Sequence, residues 1–175
     1  MPTWSHDIPK DPRGPAFPVI RTPPNKPITA VVTSEDLVGT FTHYFHGRTM
    51  PCESESCLAC SEGIPFRWHA YVSAWQQGSG LHFLFECTAQ AAESFTTFRD
   101  AHGTLRGCHF QATRMNQKAN GRIQIQTKPV DQTVVFLPEP PDICKCLAIL
   151  WNLPSTSVAA ETINPAKRTI HIKPK

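Results

Sequence analysis

Two histidines and three cysteines lie close together in the segment HYFHGRTMPCESESCLAC, residues 43–60. Cys57 and Cys60 form a C-x-x-C turn, which lets two thiolates bind one tetrahedral ion, and Cys52 precedes the pair. A structural zinc ion takes four nitrogen or sulfur ligands, so one histidine would complete the set. A redox C-x-x-C is the alternative, but no βαβ pattern precedes it and a third cysteine lies beside it. The spacing therefore predicts a structural zinc site.

The fourth zinc ligand is either His43 or His46. His43 alternates with Phe41 and Phe45 in a strand-like pattern, whereas His46 is followed by Gly47 in a turn. Spacing alone leaves both histidines as candidates.

Composition predicts one folded domain with proline-rich ends. The chain has 175 residues, of which 40% are hydrophobic and 18% charged, enough for one domain with an ordinary core. Its 17 prolines concentrate towards the termini. We therefore expect an extended proline-rich arm at 1–27, the folded domain at 28–153 and a flexible basic tail at 154–175. The net charge of +3 permits a nucleic-acid partner but does not require one.

The sequence shows neither a membrane span nor a signal peptide, which bears on where the protein resides in the cell. No stretch approaches the roughly 18 apolar residues that a membrane span needs. The first residues also lack the hydrophobic region of a signal peptide. The sequence thus predicts a cytoplasmic protein without a membrane partner, whose reduced thiols favour metal binding over disulfides.

The pattern around the cysteines is that of β-strands. Alternating residues rich in Thr, Phe and Tyr predict a strand at 36–46 that runs into the metal loop. A second strand follows at 66–75, and a third returns at 81–87 after the turn QQGSG. The period then changes to that of a helix at 88–103, with Gly103 as its stop signal.

The remaining elements complete a mainly β chain. Residues 105–116 and 121–129 flank a polar loop ending in Asn-Gly, which predicts a hairpin, and 142–153 predict a final short helix. Four or five strands, with one helix between the third and fourth, is the order of an OB-fold barrel. The predicted fold is therefore a mainly β, OB-fold-like barrel with a zinc-knuckle insertion and one or two short helices.

One face of the strand at 66–75 has an unusual composition. It presents Arg67, Tyr71 and Trp75, where an ordinary solvent face would carry Lys, Glu and Thr. Proteins that bind single strands combine a cationic groove with rings on which bases stack. The alternative is that the arm or the last helix covers Tyr71 and Trp75 as a second core layer. Further cations could extend the binding track, namely Arg48, Arg106, Arg114, Lys118 and Arg122.

The order of these motifs resembles that of the zinc-containing, OB-fold single-stranded DNA-binding proteins of T-even-like phages. The resemblance covers residues 37–99. There, RWHAYVSAW resembles the aromatic segment after that family's zinc loop, and LHFLFECTAQAAESFTTF resembles its strand-then-helix continuation. In the family, one histidine and three cysteines hold zinc beside the oligonucleotide cleft. Its acidic C-terminal tail, which recruits partner proteins, has no counterpart in this chain's basic tail.

The resemblance implies a ligand set and a function. Because the family's histidine lies inside a strand, the implied zinc ligands are His43, Cys52, Cys57 and Cys60. The implied function is sequence-independent binding of single-stranded DNA, with RNA as a second candidate, in replication, recombination or repair. Replication or recombination proteins would be its partners, in a phage or another mobile element.

Enzymatic function finds little support in the sequence. No G-x-S-x-G, Walker loop or H-E-x-x-H occurs, and the H-x-E of zinc deaminases is missing before Cys52. Four protein ligands would also leave zinc no open position for water. The competing interpretation is a zinc-ribbon protein–protein adaptor without nucleic-acid affinity. Salt separates the two, because phosphate contacts weaken steeply as salt rises.

Overall fold

The computed structural model describes residues 17–130 and 136–153, which form eight β-strands and three α-helices. The strands are β1 Val19–Arg21, β2 Ile28–Val32, β3 Val38–Phe45, β4 Arg48–Pro51, β5 Phe66–Gln76, β6 Leu81–Thr88, β7 Cys108–Arg114 and β8 Ile123–Pro129. The helices are α1 Leu58–Ser61, α2 Ala89–His102 and α3 Ile143–Leu150. Within this part of the chain, no helix is both long and apolar enough to cross a membrane.

All the described strands belong to one sheet, organised around the long strand β5. The main order is β1-β6-β5-β2-β7-β8, with only the β1–β6 pair parallel. β2 and β3 both pair with β5 along the same edge, β2 near Ala74 and β3 over residues 66–71. The sheet therefore forks beside β5, because β3 continues into its own hairpin with β4.

The face of the sheet that packs against α2 holds the main apolar core. On β5 and β6 this α2 face presents Ala70, Val72 and Phe85, which meet Phe95 of the helix. Gly103 ends α2 with φ of 80°, a left-handed conformation that glycine adopts without strain. Strand alternation and helical spacing thus bring these apolar side chains together.

The opposite face of β5 and β6 is covered by α3, and we call it the α3 face. Tyr71 and Leu84 pack there against Ile143, Cys146 and Leu147 of the helix. Asp142 caps α3 by accepting a hydrogen bond from the Lys145 backbone N–H at 3.0 Å. The sheet is therefore sandwiched between two core layers where these helices lie.

The mainly β fold with a cysteine–histidine knuckle and short helices is confirmed. The described strands do not close into a barrel, since β1 and β8 at the two ends each pair with a single neighbour. The predicted helices and the hairpin near residues 105–129 are present.

One part of the predicted proline-rich arm is wrong. Residues 19–21 form β1, which pairs in parallel with residues 84–86 of β6, and the adjoining Thr22 is buried. A three-residue strand between prolines carries no readable alternation, so its pairing partner decides its structure. The rest of the arm, residues 1–16, and the tail at 154–175 lie outside the described residues.

Candidate metal centre and adjacent groove

The four predicted metal ligands come from three neighbouring pieces of chain. His43 lies on β3, and a two-residue turn leads from it to β4. In that turn His46 and Gly47 have φ of 49° and 77°, the two positive values of a type I′ hairpin. Cys52 follows β4 directly, and Cys57 and Cys60 lie at the N-cap and inside α1. The hairpin and the short helix together bring the ligands to one place.

The geometry of this cluster suits a tetrahedral ion. The ligand atoms of His43, Cys52, Cys57 and Cys60 all lie within 4.8 Å of one another. Cys52 Sγ is 3.6 Å from Cys60 Sγ, which is 3.4 Å from His43 Nε2. Metal–sulfur bonds of about 2.3 Å in a tetrahedron place sulfurs about 3.8 Å apart and a sulfur and a nitrogen about 3.6 Å apart. The four residues can therefore bind a metal ion.

The histidine in this cluster is His43 and not His46. The His43 side chain is 1% exposed, and its Nδ1–H donates to the Ile64 carbonyl oxygen at 3.0 Å. This bond leaves Nε2 unprotonated and turned towards the cysteines, the arrangement by which proteins orient a metal-binding histidine. His46 lies exposed in the turn.

The backbone around Cys57 favours its thiolate. Burial opposes ionisation, but backbone hydrogen bonds from Cys60, Glu53 and Ala59 lower its pKa to about 7. At Cys60, burial and then the neighbouring Cys52 and Cys57 raise the pKa to about 11. Three crowded thiols cannot all ionise without a cation between them, so the cluster favours a bound metal over free thiolates.

The apolar core of the knuckle, residues 43–64, is small. Only Phe45, Cys57 and Ala59 are buried within it, with Met50 and Ile64 packed against them. So few apolar side chains do not stabilise a separate fold in water. The knuckle therefore needs its ligand cluster as well as its pairing with β5.

The remaining cysteines lie outside the cluster. Cys87 and Cys108 belong to the apolar core beneath α2, and burial raises the pKa of each thiol to about 12. Cys144 and Cys146 lie on α3, where Cys146 packs against the sheet. These thiols are packing residues.

A buried carboxylate joins the knuckle to the sheet on the α3 face. Glu86 accepts hydrogen bonds from Arg21 at 2.6 and 3.0 Å and from the Tyr71 hydroxyl at 3.0 Å. The same guanidinium donates to Thr49 Oγ1 at 2.9 Å, so the β3–β4 hairpin curls over this face. Hydrogen bonding to Glu86 raises the pKa of Arg21.

Between the curled hairpin and the end of α3 lies an open cavity of about 430 Å³, which we call the hairpin cavity. Tyr44 and Arg48 line it from the hairpin, Arg21 and Glu86 from the sheet, and Trp151 from the end of α3. Tyr44 is 71% exposed. The Trp151 ring is instead held edge-on by Tyr71, with centroids 5.9 Å apart at 80°.

Arg67 lies on the same sheet face as the cavity. It is exposed, and strand alternation places it on the side of His69 and Tyr71. Burial lowers the pKa of His69, and the nearby Arg21 and Arg67 charges lower it further against the opposing effect of Glu86. The guanidiniums of Arg21 and Arg67 thus act on one imidazole from the same face.

The prediction that Tyr71 stacks on a base is wrong in this structure. Its side chain is 0% exposed, because α3 covers it and Glu86 accepts its hydroxyl hydrogen bond. The alternative of a second core layer describes Tyr71 correctly. Trp75 is half-buried on the same face.

The predicted cationic residues divide into two groups. Arg106 donates to the backbone carbonyls of Thr33 and Leu137, and Arg114 to those of Thr22 and Gly121, so both hold loops in place and are wrong as free phosphate contacts. The four exposed ones are Arg48, Arg67, Lys118 and Arg122. Of these, only Arg48 lines the hairpin cavity.

Three residues of the cavity were missed at the level of sequence. Tyr44 follows the candidate ligand His43 in an alternating strand, a signal that places it on the face opposite the ligand cluster. Arg21 lies in the segment predicted to be an arm, and Trp151 in a helix far along the chain, so neither carried a local signal.

Comparison of the chain with protein-family models, with curated proteins and with solved structures finds no match. The resemblance to phage single-stranded DNA-binding proteins therefore rests on the motif order alone and stays a prediction.

Proposed function

We propose that this protein binds single-stranded DNA without sequence preference and carries a structural zinc ion in its knuckle. The observation that supports the proposal is the hairpin cavity, where the exposed Arg48 lies with the rings of Tyr44 and Trp151. We call this cavity, together with the exposed Arg67 on the α3 face, the groove. Such a groove offers phosphates a cationic track and offers bases flat rings. This role belongs to replication, recombination or repair.

Zinc fits the ligand set better than other common ions. Three cysteines with one histidine form a regular structural zinc set, whereas magnesium and calcium prefer oxygen ligands. The tetrahedral spacing of the ligand atoms and the protonated Nδ1 of His43 support the same ion. With four protein ligands the ion would serve structure.

The groove carries more positive than negative charge. Arg21 is compensated by the buried Glu86, while Arg48 and Arg67 are exposed. Arg67 lies on the α3 face and Arg48 lines the hairpin cavity, so both are available to the phosphates of a bound strand. Because Tyr71 is buried, Tyr44 and Trp151 are the rings proposed to stack on bases.

An adaptor that binds protein is the second candidate. Leu58 and Phe66, on and beside the knuckle, are 60% and 46% exposed, and exposed apolar residues often mark protein interfaces. An interface of this kind would depend little on salt.

Fluorescence anisotropy of a labelled oligothymidylate, titrated with the protein at several salt concentrations, tests the proposal. We expect affinity to fall steeply with salt, and Arg67→Ala and Arg48→Ala each to reduce the slope by about 0.7 counterion. Arg99→Ala is the matched control, since Arg99 lies on α2 behind the opposite face and pairs with Asp36.

A second titration with an RNA strand of the same base composition tells whether the sugar matters. Absence of oligonucleotide binding by folded, zinc-loaded protein at low salt would overturn the proposal. Equal loss of salt dependence in Arg99→Ala would show that the charge of the whole surface, and not the groove, drives association.

A further inference from the structure

The geometry of the hairpin cavity points to a subsite for one nucleotide, with its phosphate at Arg48 and its base against Tyr44 and Trp151. This inference rests on the proposed function and specifies where one unit of the strand is held. It concerns the hairpin cavity alone, whereas Arg67 lies outside the residues that line it.

Size is the first support. The cavity of about 430 Å³ lies within the range of about 300–1,000 Å³ that small-molecule sites occupy. It is therefore large enough for one base with its sugar and phosphate.

Charge supplies the second support. Glu86 holds the Arg21 guanidinium through two hydrogen bonds, so this pair contributes little net charge to the cavity. Arg48 is then the excess positive charge of the lining, and within residues 17–130 and 136–153 no ion pair or hydrogen bond engages its side chain. A phosphate oxygen is the anionic group that a guanidinium binds most readily in a bidentate manner.

The third argument comes from the rings of Trp151 and Tyr44, which differ in conformational freedom. Trp151 is fixed edge-on against Tyr71, so the energetic cost of orienting it is already met by the fold. Tyr44 is exposed at the hairpin and can adjust to a base of any size. One fixed and one adaptable ring suit stacking without base preference.

The direct test uses thymidine 5′-monophosphate, thymidine and inorganic phosphate as separate probes of the full, metal-loaded protein. Their binding is followed by NMR shifts of the Trp151 indole N–H and of the amides of residues 44–50. We expect the monophosphate to shift these signals and to bind at least about tenfold more tightly than either half, because ring and guanidinium act together.

Variants then assign the parts. Tyr44→Ala should weaken the monophosphate and thymidine by about 5- to 150-fold, the range measured for loss of one stacking ring, while Tyr44→Phe should retain binding. Arg48→Ala should weaken the monophosphate and leave thymidine unchanged, with partial rescue by Arg48→Lys. Arg99→Ala is the control that changes the same charge on the opposite side.

The experiments distinguish failure of the subsite from failure of the proposed function. If oligothymidylate binds with dependence on Arg67 but the monophosphate shifts no signal of the cavity, the subsite is overturned and the function stands. If the oligonucleotide does not bind at all, the proposed function fails, and monophosphate bound at Tyr44 and Arg48 would identify a small-molecule site instead. Binding of inorganic phosphate as tight as that of the monophosphate would also overturn the assignment of the rings.

Discussion

The knuckle at residues 43–64 and the α2 face of the sheet differ in how much apolar surface holds each together. The apolar cluster of the knuckle has only three buried side chains, with three more packed against them. The α2 face buries eighteen residues in one continuous cluster. Burial alone can stabilise the sheet. The knuckle instead depends on its four ligand residues, whose thiolates repel one another or take up protons when no cation is bound.

The two regions nevertheless share residues at their border. β3 pairs with β5 on one side and with β4 on the other, and Arg21 joins Glu86 of the sheet to Thr49 of the hairpin. Because the apolar core of the knuckle is so much smaller, we still expect the knuckle to lose its structure under conditions in which the sheet keeps its own. The groove that lies between them would be lost with the knuckle.

Removal of the metal should have the largest effect, and it should be local. Cys57→Ser or strong chelation removes a binding free energy that reaches about 10–16 kcal/mol in zinc-finger peptides. We expect amides of residues 43–64 to lose hydrogen-exchange protection, while those of β5 and β6 that pair with each other keep theirs. Metal analysis should give one zinc per chain before chelation and none after it.

Two controls sharpen this prediction. Cys144→Ser changes a half-buried thiol on α3 and should keep the zinc. His43→Ala should lower zinc affinity more than His46→Ala, because only the His43 imidazole faces the cysteines. Metal-free protein whose knuckle amides remain protected would show that packing, and not the ion, holds this region.

Loss of an aromatic ring from the α2 face should instead destabilise the whole domain. Phe110 is 0% exposed and contacts Phe85 and Phe95 with centroids 4.8 and 5.3 Å apart. Phe110→Ala should lower the free energy of unfolding by about 3–5 kcal/mol, through lost transfer energy and the cavity left behind. Urea unfolding followed by far-UV circular dichroism measures this change.

The matched control for that substitution is Phe136→Ala, because Phe136 is 85% exposed. Its unfolding free energy should stay within about 0.5 kcal/mol of the parent. The folded fraction of Phe110→Ala should still bind one zinc per chain. Zinc loss in proportion to the lost stability would mean that the two regions are one cooperative unit.

Sequence reasoning succeeded where local patterns determine structure. Alternation in 66–76 and 81–88, the change of period in α2 and the spacing of Cys52, Cys57 and Cys60 each depend on neighbours a few residues apart. The choice of His43 came instead from the family resemblance, since the local pattern left both His43 and His46 as candidates.

Tyr71 shows why the rest could not be predicted. Alternation correctly put it on the face opposite Val72, but what covers that face is α3, which comes far later in the chain. β1 is a similar case, because three residues between prolines become a strand only through parallel pairing with β6. The described strands also do not close into the predicted barrel. The number of strands in a sequence does not determine whether the two end strands pair with each other.

The smallest expected effect is a pH dependence of the unfolding free energy that arises in the sheet and not in the knuckle. Burial lowers the pKa of His82, and the nearby Arg106 charge lowers it further. The imidazole Nε2 lies 2.9 Å from Thr33 Oγ1, which lies 2.7 Å from Ser73 Oγ, so folding holds His82 in its neutral form beside the sheet.

The sign follows from the proton count of the two states. The unfolded chain binds this proton below about pH 6.5, whereas the folded chain binds it only at lower pH. The stabilisation is complete above that pH and is lost as the pH falls towards the folded pKa. His82→Gln should therefore make the decline of unfolding free energy between pH 7 and pH 5 shallower. Because His82 is half exposed, the change should stay below the roughly 1.4 kcal/mol per pH unit of one full proton.

Urea unfolding at closely spaced pH values measures this slope, with exchange of the β6 amides as the readout, since acid also releases metal from the knuckle. His69 and His109 have pKa values lowered by burial as well, so part of the slope should remain in His82→Gln. An unchanged slope at the β6 amides would mean that His82 gains no stabilisation from its neutral form. The pH dependence of the sheet would then come from the border with the knuckle, and the two regions would be coupled more tightly than their separate cores suggest.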